Sequence, residues 1–269
     1  MTSSNHAQPA ATLMLIRDSA DGVEVFMITR HHRIDAFTGA LVFPGGKVDM
    51  ADRATPIIDY CRGGAESSFD LPFRVAAIRE AFEEAGLLFA YPQAGADLLT
   101  HDQVLALSRY RQGLRDHSIG VAQFCREAKL QLATDRLYRF AHWITPVTQP
   151  KRFDTHFYLA LAPEQAPSID NQDTEVHNAL WISPLKAIAE AEQGLRVLVF
   201  PTRMNLLKLA RSTTAADAIA TARSEPVVTV QPEITPHPDG TVMTIPSMAG
   251  YGASRLLVSR DARTVTMLS

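Results

Sequence analysis

Apolar and polar residues are arranged along the chain in a pattern that predicts strands first and a long helix after them. Short apolar runs at 11–18 and 23–30 are separated by the turn sequence SADG, which predicts a β-hairpin. A third strand, GALVFPGGKVD, reaches Pro44-Gly45-Gly46, where these residue types predict a turn or loop. The mixed polarity of residues 50–72 predicts a surface insertion before a helix over about 73–89.

Helical and strand-like segments alternate through the rest of the chain. Two helices are predicted within 97–135, at HDQVLALSRYRQGLRD and GVAQFCREAKLQL. The remaining predicted elements are strands at 139–146, 154–163 and 175–184, helices at 184–194, 200–211 and 213–224, and hairpins within 227–246 and 255–269. Strands interleaved with helices predict an α/β or α+β class.

The predicted helix RVAAIREAFEEAGLLF carries three carboxylates at close spacing, Glu80, Glu83 and Glu84. At 100° per residue these positions fall within about 100° of each other. The apolar residues of the helix, which lie on the opposite side, are Val75, Ile78, Phe82, Ala85 and Phe89. This pattern predicts a buried face and a separate acidic face. Like charges so close repel, but a divalent cation bound between them would make the cluster favourable.

The glycine pair and Arg79 extend this interpretation. Without a Cβ, Gly45 and Gly46 let backbone carbonyls approach a ligand or metal. Arg79 could pair with one carboxylate and fix its rotamer. A cation held by few carboxylates keeps positions open for phosphates and water, so the pattern indicates chemistry on a diphosphate.

Composition narrows the remaining possibilities. The chain has 269 residues, is 46% hydrophobic and 20% charged, and has a formal net charge of −3. This composition is that of an ordinary globular protein, and the net charge predicts neither a nucleic-acid nor a membrane partner. Cys61 and Cys125 form no disulfide framework, which favours a reducing compartment. The first residues resemble no signal peptide and no apolar run is long enough to span a bilayer, so we expect a cytoplasmic protein.

The combination of FPGGKVDM and REAFEEAGL resembles the Nudix box, G-x5-E-x7-R-E-U-x-E-E-x-G-U, in which U is apolar. The resemblance implies an α/β/α sandwich with a mixed sheet, and Mg²⁺- or Mn²⁺-dependent hydrolysis of nucleoside diphosphates linked to another group. By position, it implies that the Gly46 carbonyl, Glu80, Glu83 and Glu84 are metal ligands and that Arg79 orients them.

One part of the box is interrupted. Arg79 follows Gly46 by 33 positions, where the pattern has 14. Counting forward from Gly46 places the upstream glutamate at Asp52, whereas counting back from Arg79 places it at Leu71, beside Asp70. The sequence leaves this position unassigned.

The interruption is similar to that of the animal peroxisomal coenzyme A diphosphatase subfamily, as are the segments RHHRIDAFTGALVFPGG and WITPVTQPKRFDTHFYLA. Asp35 and His31 depart from that subfamily's pattern, so only part of the coenzyme A signature is present. The substrate-binding residues implied by this resemblance are Arg30, Arg33, Phe43, Arg152 and Asp154.

Several of these residues have other interpretations. Arg30 and Arg33 could be solvated charges at a strand end, and Arg152 and Asp154 could form an ion pair that braces a strand. The histidines lack tight ligand spacing and are interpreted as ordinary residues, among them His31, His32, His142, His156 and His177. Glu175 lies in a loop from which Nudix enzymes often take an extra base or metal ligand.

The predicted organisation is a disordered tail at 1–10, a Nudix domain at 11–211 with a box insert at about 50–72 and a helical insertion at about 97–135, and a C-terminal extension at 212–269. The extension could cap the domain, cover the active site or form a homodimer contact. The predicted substrate is coenzyme A or an acyl-CoA, cleaved to 3′,5′-ADP and (acyl-)phosphopantetheine. The alternatives are a diphosphatase for ADP-ribose, a nucleotide sugar or a dinucleoside polyphosphate, and a non-catalytic nucleotide-binding module.

Overall fold

A computed structural model describes residues 6–29, 39–63, 69–163 and 179–268. The strands are β1 (Gln8–Ser19), β2 (Gly22–Thr29), β3 (Leu41–Val42), β4 (Gly45–Lys47), β5 (Ala90–Pro92), β6 (Leu130–Leu132), β7 (Tyr138–Ile144), β8 (Phe153–Leu161), β9 (Ala179–Ile182), β10 (Thr229–Val230), β11 (Glu233–His237), β12 (Gly240–Thr244), β13 (Arg255–Ser259) and β14 (Val265–Met267). The helices are α1 (Leu71–Ala85), α2 (His101–Ala106), α3 (Arg111–Arg115), α4 (Val121–Ala128), α5 (Pro184–Glu192), α6 (Phe200–Leu209) and α7 (Ala215–Ser224).

The main sheet is mixed and is centred on β1. Its strand order is β10-β7-β8-β1-β2-β3, with β4 also paired to β1 and β9 also paired to β2. The β1–β8 and β10–β7 pairs are parallel, and the other pairs in this sheet are antiparallel. β1 is long enough to pair with β4 near its start and with β2 near its end, so it connects the glycine pair to the rest of the sheet.

Each face of the sheet is covered by its own hydrophobic core, because alternate residues of a strand point to opposite faces. Leu13 and Leu15 pack with α1 and α4, whereas Met14 and Ile16 pack with α5, α6 and α7. Helices on both faces of a mixed sheet make a three-layer α/β/α arrangement, which confirms the predicted fold class.

Three predicted segments differ from the structure, two in their boundaries and one in its character. Helix α1 ends at Ala85 rather than near 89, because Gly86 adopts a left-handed conformation with φ of 67° and ends the helix. Strand β1 begins at Gln8 and so takes in residues that were assigned to a disordered tail. The segment before α1 is also more than a surface insertion, since it contains two 3-10 helices and buries Asp52 and Ile57.

The C-terminal extension joins the same core. Both predicted hairpins are present, and they combine into a four-stranded sheet in the order β11-β12-β13-β14. Before them, β10 adds a strand to the edge of the main sheet beside β7. Within the described ranges, no helix has the length and apolar character that crossing a membrane requires.

Candidate active site

Helix α1 places the three glutamates beside the glycine pair. It packs against β1 and β4, and Pro72 occupies its first turn, where a missing N–H costs nothing. Two residues of the predicted acidic face, Arg79 and Glu83, are buried. The helix is therefore covered on most sides, including its acidic side at Arg79 and Glu83, whereas Glu84 is exposed.

Arg79 is the centre of this covered acidic side. Its side chain is 3% exposed. Nη1 donates to Glu80 Oε1 at 3.0 Å and to Glu83 Oε1 at 2.9 Å. Nη2 donates to the Lys47 carbonyl at 2.8 Å and lies 3.4 Å from Asp49 Oδ2. We call Arg79 and its carboxylate partners Asp49, Asp52, Glu80 and Glu83 the Arg79 cluster.

Asp52 is the partner that sequence reasoning did not assign. It is fully buried and accepts two hydrogen bonds from Arg79, at 2.9 Å from both Nε and Nη2. The Asp49 N–H also donates to Asp52, at 2.8 Å. Asp52 thus anchors Arg79 in a two-pronged, charge-assisted contact. The forward count from Gly46 was the signal for it, and the extra residues lie between Asp52 and Arg79.

The glycine pair lies so close to neighbouring atoms that no side chain would fit at either position. A Cβ at Gly46 would lie 2.4 Å from Glu80 Oε1, and one at Gly45 would lie 2.5 Å from the Ala11 carbonyl oxygen. The Gly45 N–H donates to Glu84 Oε2 at 3.0 Å. Gly46 and the ends of Glu80 and Glu84 therefore meet on one small surface.

The electrostatics of this surface indicate an incompletely compensated negative charge. Burial is the main cause that raises the pKa of Glu80 from 4.5 to about 7; Arg79 opposes this rise, whereas Glu84 and Glu83 add to it. Burial also raises the pKa of Glu83, again against the effect of Arg79. Burial would lower the pKa of Arg79, but the carboxylates of Asp52, Glu80 and Glu83 together raise it, so its guanidinium stays charged. A hard divalent cation would offset the remaining charge, and the carboxylate donors fit Mg²⁺ or Mn²⁺.

Among the described residues, Phe43 and Arg152 lie in surroundings that the sequence did not indicate. Phe43 is buried in the core on the α5 and α6 side of the sheet, opposite α1. Arg152 Nε donates to the Thr145 carbonyl at 3.0 Å. Arg30, Arg33 and Glu175 lie outside the described residues.

Asp154 has partners that the sequence did not indicate. It lies 2.5 Å from His142 Nε2 and 3.8 Å from His156 Nε2. The sequence favours ordinary roles for both histidines, because they show no tight ligand spacing. Adjacent strands β7 and β8 bring them together, and a pairing of strands is not visible in ligand spacing.

Comparison with known proteins places the chain in a family. A sequence model of the family described as the NUDT19 Nudix domain matches residues 59–208, which is more than half of the chain. The chain belongs to this family. The matched range of this Nudix chain contains Arg79, Glu80, Glu83 and Glu84.

The relatives of this Nudix chain include an acyl-coenzyme A diphosphatase NUDT19 from Gallus gallus, which is 27% identical over 208 residues, 61% of the chain and 55% of the relative. A putative nudix hydrolase 7 from Caenorhabditis elegans is 29% identical over 187 residues, 70% of the chain and 56% of the relative. The chain thus spans about half the length of these curated relatives.

A solved NUDIX hydrolase from Alicyclobacillus acidocaldarius is also similar. It is 27% identical, with a TM-score of 0.66, and the match covers 81% of this chain and 98% of that one. The likeness therefore extends over nearly all of the solved chain and includes sequence as well as fold.

Proposed function

We propose that this chain hydrolyses a diphosphate bond in a nucleoside diphosphate linked to another group, with Mg²⁺ or Mn²⁺ as cofactor. The observation that carries the proposal is the Arg79 cluster, which holds Glu80 and Glu83 beside the glycine pair and Glu84. A solvated helix face would not contain a buried guanidinium with four carboxylate partners. Membership of the family supports the same chemistry.

Glu80, Glu83, Glu84 and the Gly46 carbonyl are the residues that would hold the cation. A divalent ion bound there supplies charge that polarises phosphoryl oxygens and acidifies water. Because Gly46 has no Cβ, its backbone can lie against the Glu80 carboxylate. The carboxylate and carbonyl oxygens then form one set of donors, which is the kind that hard cations prefer.

Arg79 and Glu80 have distinct roles in this proposal. Arg79 restrains the carboxylates of Glu80 and Glu83 through a single nitrogen, which reduces the reorganisation needed during reaction. Glu80 is the residue that would orient or deprotonate the attacking water. In the metal-free protein, burial raises its pKa to about 7.

Coenzyme A or an acyl-CoA is the proposed substrate, with 3′,5′-ADP and (acyl-)phosphopantetheine as products. The name of the Gallus gallus relative and the family match support this choice. A role for Arg30, Arg33, Phe43, Arg152 or Asp154 in binding the substrate stays a prediction. In this prediction, the guanidinium groups of Arg30 and Arg33 would pair with the phosphates of the substrate.

The test is to incubate the purified chain with a mixed pool of coenzyme A, acyl-CoA, ADP-ribose, nucleotide sugars and dinucleoside polyphosphates, with Mn²⁺ or with a chelator. Mass spectrometry of the products is expected to detect 3′,5′-ADP and a phosphopantetheine, and chelation is expected to abolish both. Cleavage of another compound in the pool, without cleavage of coenzyme A or acyl-CoA, would contradict the proposed substrate and keep the proposed diphosphatase activity. Nucleotide binding without any product would contradict the diphosphatase and favour a binding module.

A further inference from the structure

A second group of possible metal ligands lies on the α1 face of the sheet, on β7 and β8. His142 and His156 are directly opposite each other in the register of these two strands. Asp154 precedes His156 by two residues, so both side chains project from the same face of β8. We call His142, Asp154 and His156 the His–Asp–His cluster.

The three side chains converge closely. One potential ligand atom of each lies within 4.8 Å of the other two. His142 Nε2 is 2.5 Å and His156 Nε2 is 3.8 Å from the same oxygen, Asp154 Oδ1. The two imidazole rings lie side by side, with centroids 4.1 Å apart and planes at 31°. Small side-chain adjustments would place all three atoms around one ion.

Neighbouring residues orient both imidazoles. His142 Nδ1 is 2.8 Å from Thr229 Oγ1 on β10, which leaves Nε2 directed towards Asp154. The His156 side chain is 5% exposed and packs on the Phe73 ring of α1, at a centroid distance of 4.0 Å. A hydrogen bond to the second ring nitrogen is the usual way in which proteins orient a metal-binding histidine.

We propose that the His–Asp–His cluster binds one Zn²⁺ or a similar late first-row transition-metal ion. Two imidazole nitrogens and one carboxylate are donors that suit such an ion better than Mg²⁺. Three protein ligands leave the fourth position of a tetrahedral site open. The 32% exposed side chain of Asp154 gives solvent or an anionic ligand access to that position.

This site is separate from the one at the glycine pair. Gly46, Ala11 and His156 are successive partners across β4, β1 and β8, so Gly46 and His156 are about 10 Å apart at two strand spacings. Phe73, the residue of α1 on which His156 packs, is also about 10 Å from Glu80 along the helix axis. Paired ions that act on one phosphate lie only about 3.5–4 Å apart. The two sites would therefore bind their ions independently.

The test uses Co²⁺ as a spectroscopic substitute for Zn²⁺ on the metal-free full chain, with Glu83→Gln/Glu84→Gln as a background that weakens the other site. Excess Mg²⁺ is present throughout. We expect one Co²⁺ per chain with the intense visible absorption of four-coordinate cobalt, and stoichiometric displacement by Zn²⁺. No hydrolysis is measured, so the result does not depend on the proposed function.

Variants of the cluster identify the ligands. Asp154→Asn and His156→Ala are expected to abolish the four-coordinate spectrum, and Thr229→Val to weaken Co²⁺ binding about tenfold. His101→Ala, an exposed histidine on α2, is the matched control and is expected to change nothing. Circular dichroism checks that each variant folds. If His156→Ala does not fold, the separate variants Asp154→Asn and Thr229→Val still test whether the cluster binds Co²⁺.

An ion pair without a metal would give a different set of results. The background variant would then bind Co²⁺ only weakly or with a six-coordinate spectrum. Equal Co²⁺ affinities for Asp154→Asn and its parent would also overturn the proposal.

Discussion

At the scale of single residues, the candidate active site depends on where a few carboxylate oxygens are held. Arg79 restrains Glu80 and Glu83, whereas Glu84 is held by the Gly45 N–H. These side chains have different neighbours, so their removal is expected to have different effects on folding and on turnover.

Glu84→Gln is expected to abolish most activity and leave the fold intact. The amide can still contact the Gly45 N–H, but it has lost the charge that a cation requires. Replacing a residue that only hydrogen-bonds to a metal ligand lowers activity roughly 10–100-fold. Turnover by Glu84→Gln should fall by more than this, because Glu84 is itself a proposed ligand. Steady-state assays and thermal melts measure the two effects, with the exposed Glu127→Gln as control. Near-native turnover by Glu84→Gln would remove Glu84 from the proposed ligands.

The two neighbouring glycines are expected to respond differently to alanine. In Gly46→Ala the new Cβ meets the flexible end of Glu80, so the carboxylate moves and turnover falls about 10²-fold while the protein stays folded. In Gly45→Ala the new Cβ meets the backbone oxygen of Ala11, so stability itself is lost. Gly120→Ala, where the nearest atom is 3.6 Å away, is the control. Equal melting temperatures for the two variants would contradict this distinction.

Glu80 makes metal binding depend on pH. Its folded pKa, about 7, lies above the ordinary value of 4.5, so in metal-free protein its contribution to stability is fully present below about 4.5 and is lost as pH rises through about 7. A cation binds the deprotonated form and must displace the proton at lower pH. The rise in melting temperature on adding Mn²⁺ should therefore be larger at about pH 8 than at about pH 6. Glu80→Gln should remove most of this difference, and a pH-independent rise in the parent protein would contradict the role of Glu80.

At the scale of elements, the segment before α1 completes the site on the helix. It brings Asp52 to Arg79 across a long insertion, and the same segment buries Ile57 and Cys61 in the core. The helix itself offers Arg79 only the carboxylates of Glu80 and Glu83, and Asp52 adds the two-pronged contact that holds the guanidinium from the other side.

Asp52→Asn is expected to lower the free energy of unfolding by about 1.5 to 3 kcal/mol, because it weakens two buried charge-assisted hydrogen bonds to Arg79, which keeps Asp49, Glu80 and Glu83 as partners. Urea denaturation monitored by circular dichroism measures the change. Asp59→Asn is the matched control, since Asp59 is exposed in the same inserted segment. A loss below about 1 kcal/mol, as is typical of surface pairs, would show that Asp52 does not anchor Arg79.

At the scale of the whole molecule, the C-terminal extension is part of the folded core. Tyr251 OH accepts a hydrogen bond from Trp143 Nε1 and donates one to Asn205 Oδ1, both at 2.8 Å. These contacts join the extension to β7 and α6. The Thr229 hydroxyl joins it to the His–Asp–His cluster as well.

Tyr251→Phe is expected to destabilise the protein by about 1 to 3 kcal/mol, since it leaves buried polar groups of Trp143 and Asn205 without their partner. The midpoint of urea denaturation measures this change. Tyr60→Phe, at the edge of the core on the α1 side, is expected to have a smaller effect. Equal midpoints for Tyr251→Phe and the parent protein would show that the extension is held by its apolar contacts alone.

Features that depend on local spacing could be predicted from the residues alone. The 3.6-residue period of α1 brings Glu80, Glu83 and Glu84 together, two glycines leave room for a close backbone approach, and alternating apolar residues predict strands of the sandwich. The end of α1 was missed, although Gly86 was the signal for it. These features rest on residues a few positions apart, whose relative geometry follows from one helix, strand or turn.

Contacts between residues far apart in the sequence became apparent from the folded chain. It brought Asp52 against Arg79, because the path of the inserted segment sets that contact, whereas Asp70 contacts Arg74. It also joined His142 on β7 to Asp154 and His156 on β8, and it placed Phe43 on the opposite face. Such contacts depend on strand order and on the packing of insertions, which fix distances between residues far apart in sequence and have no local pattern.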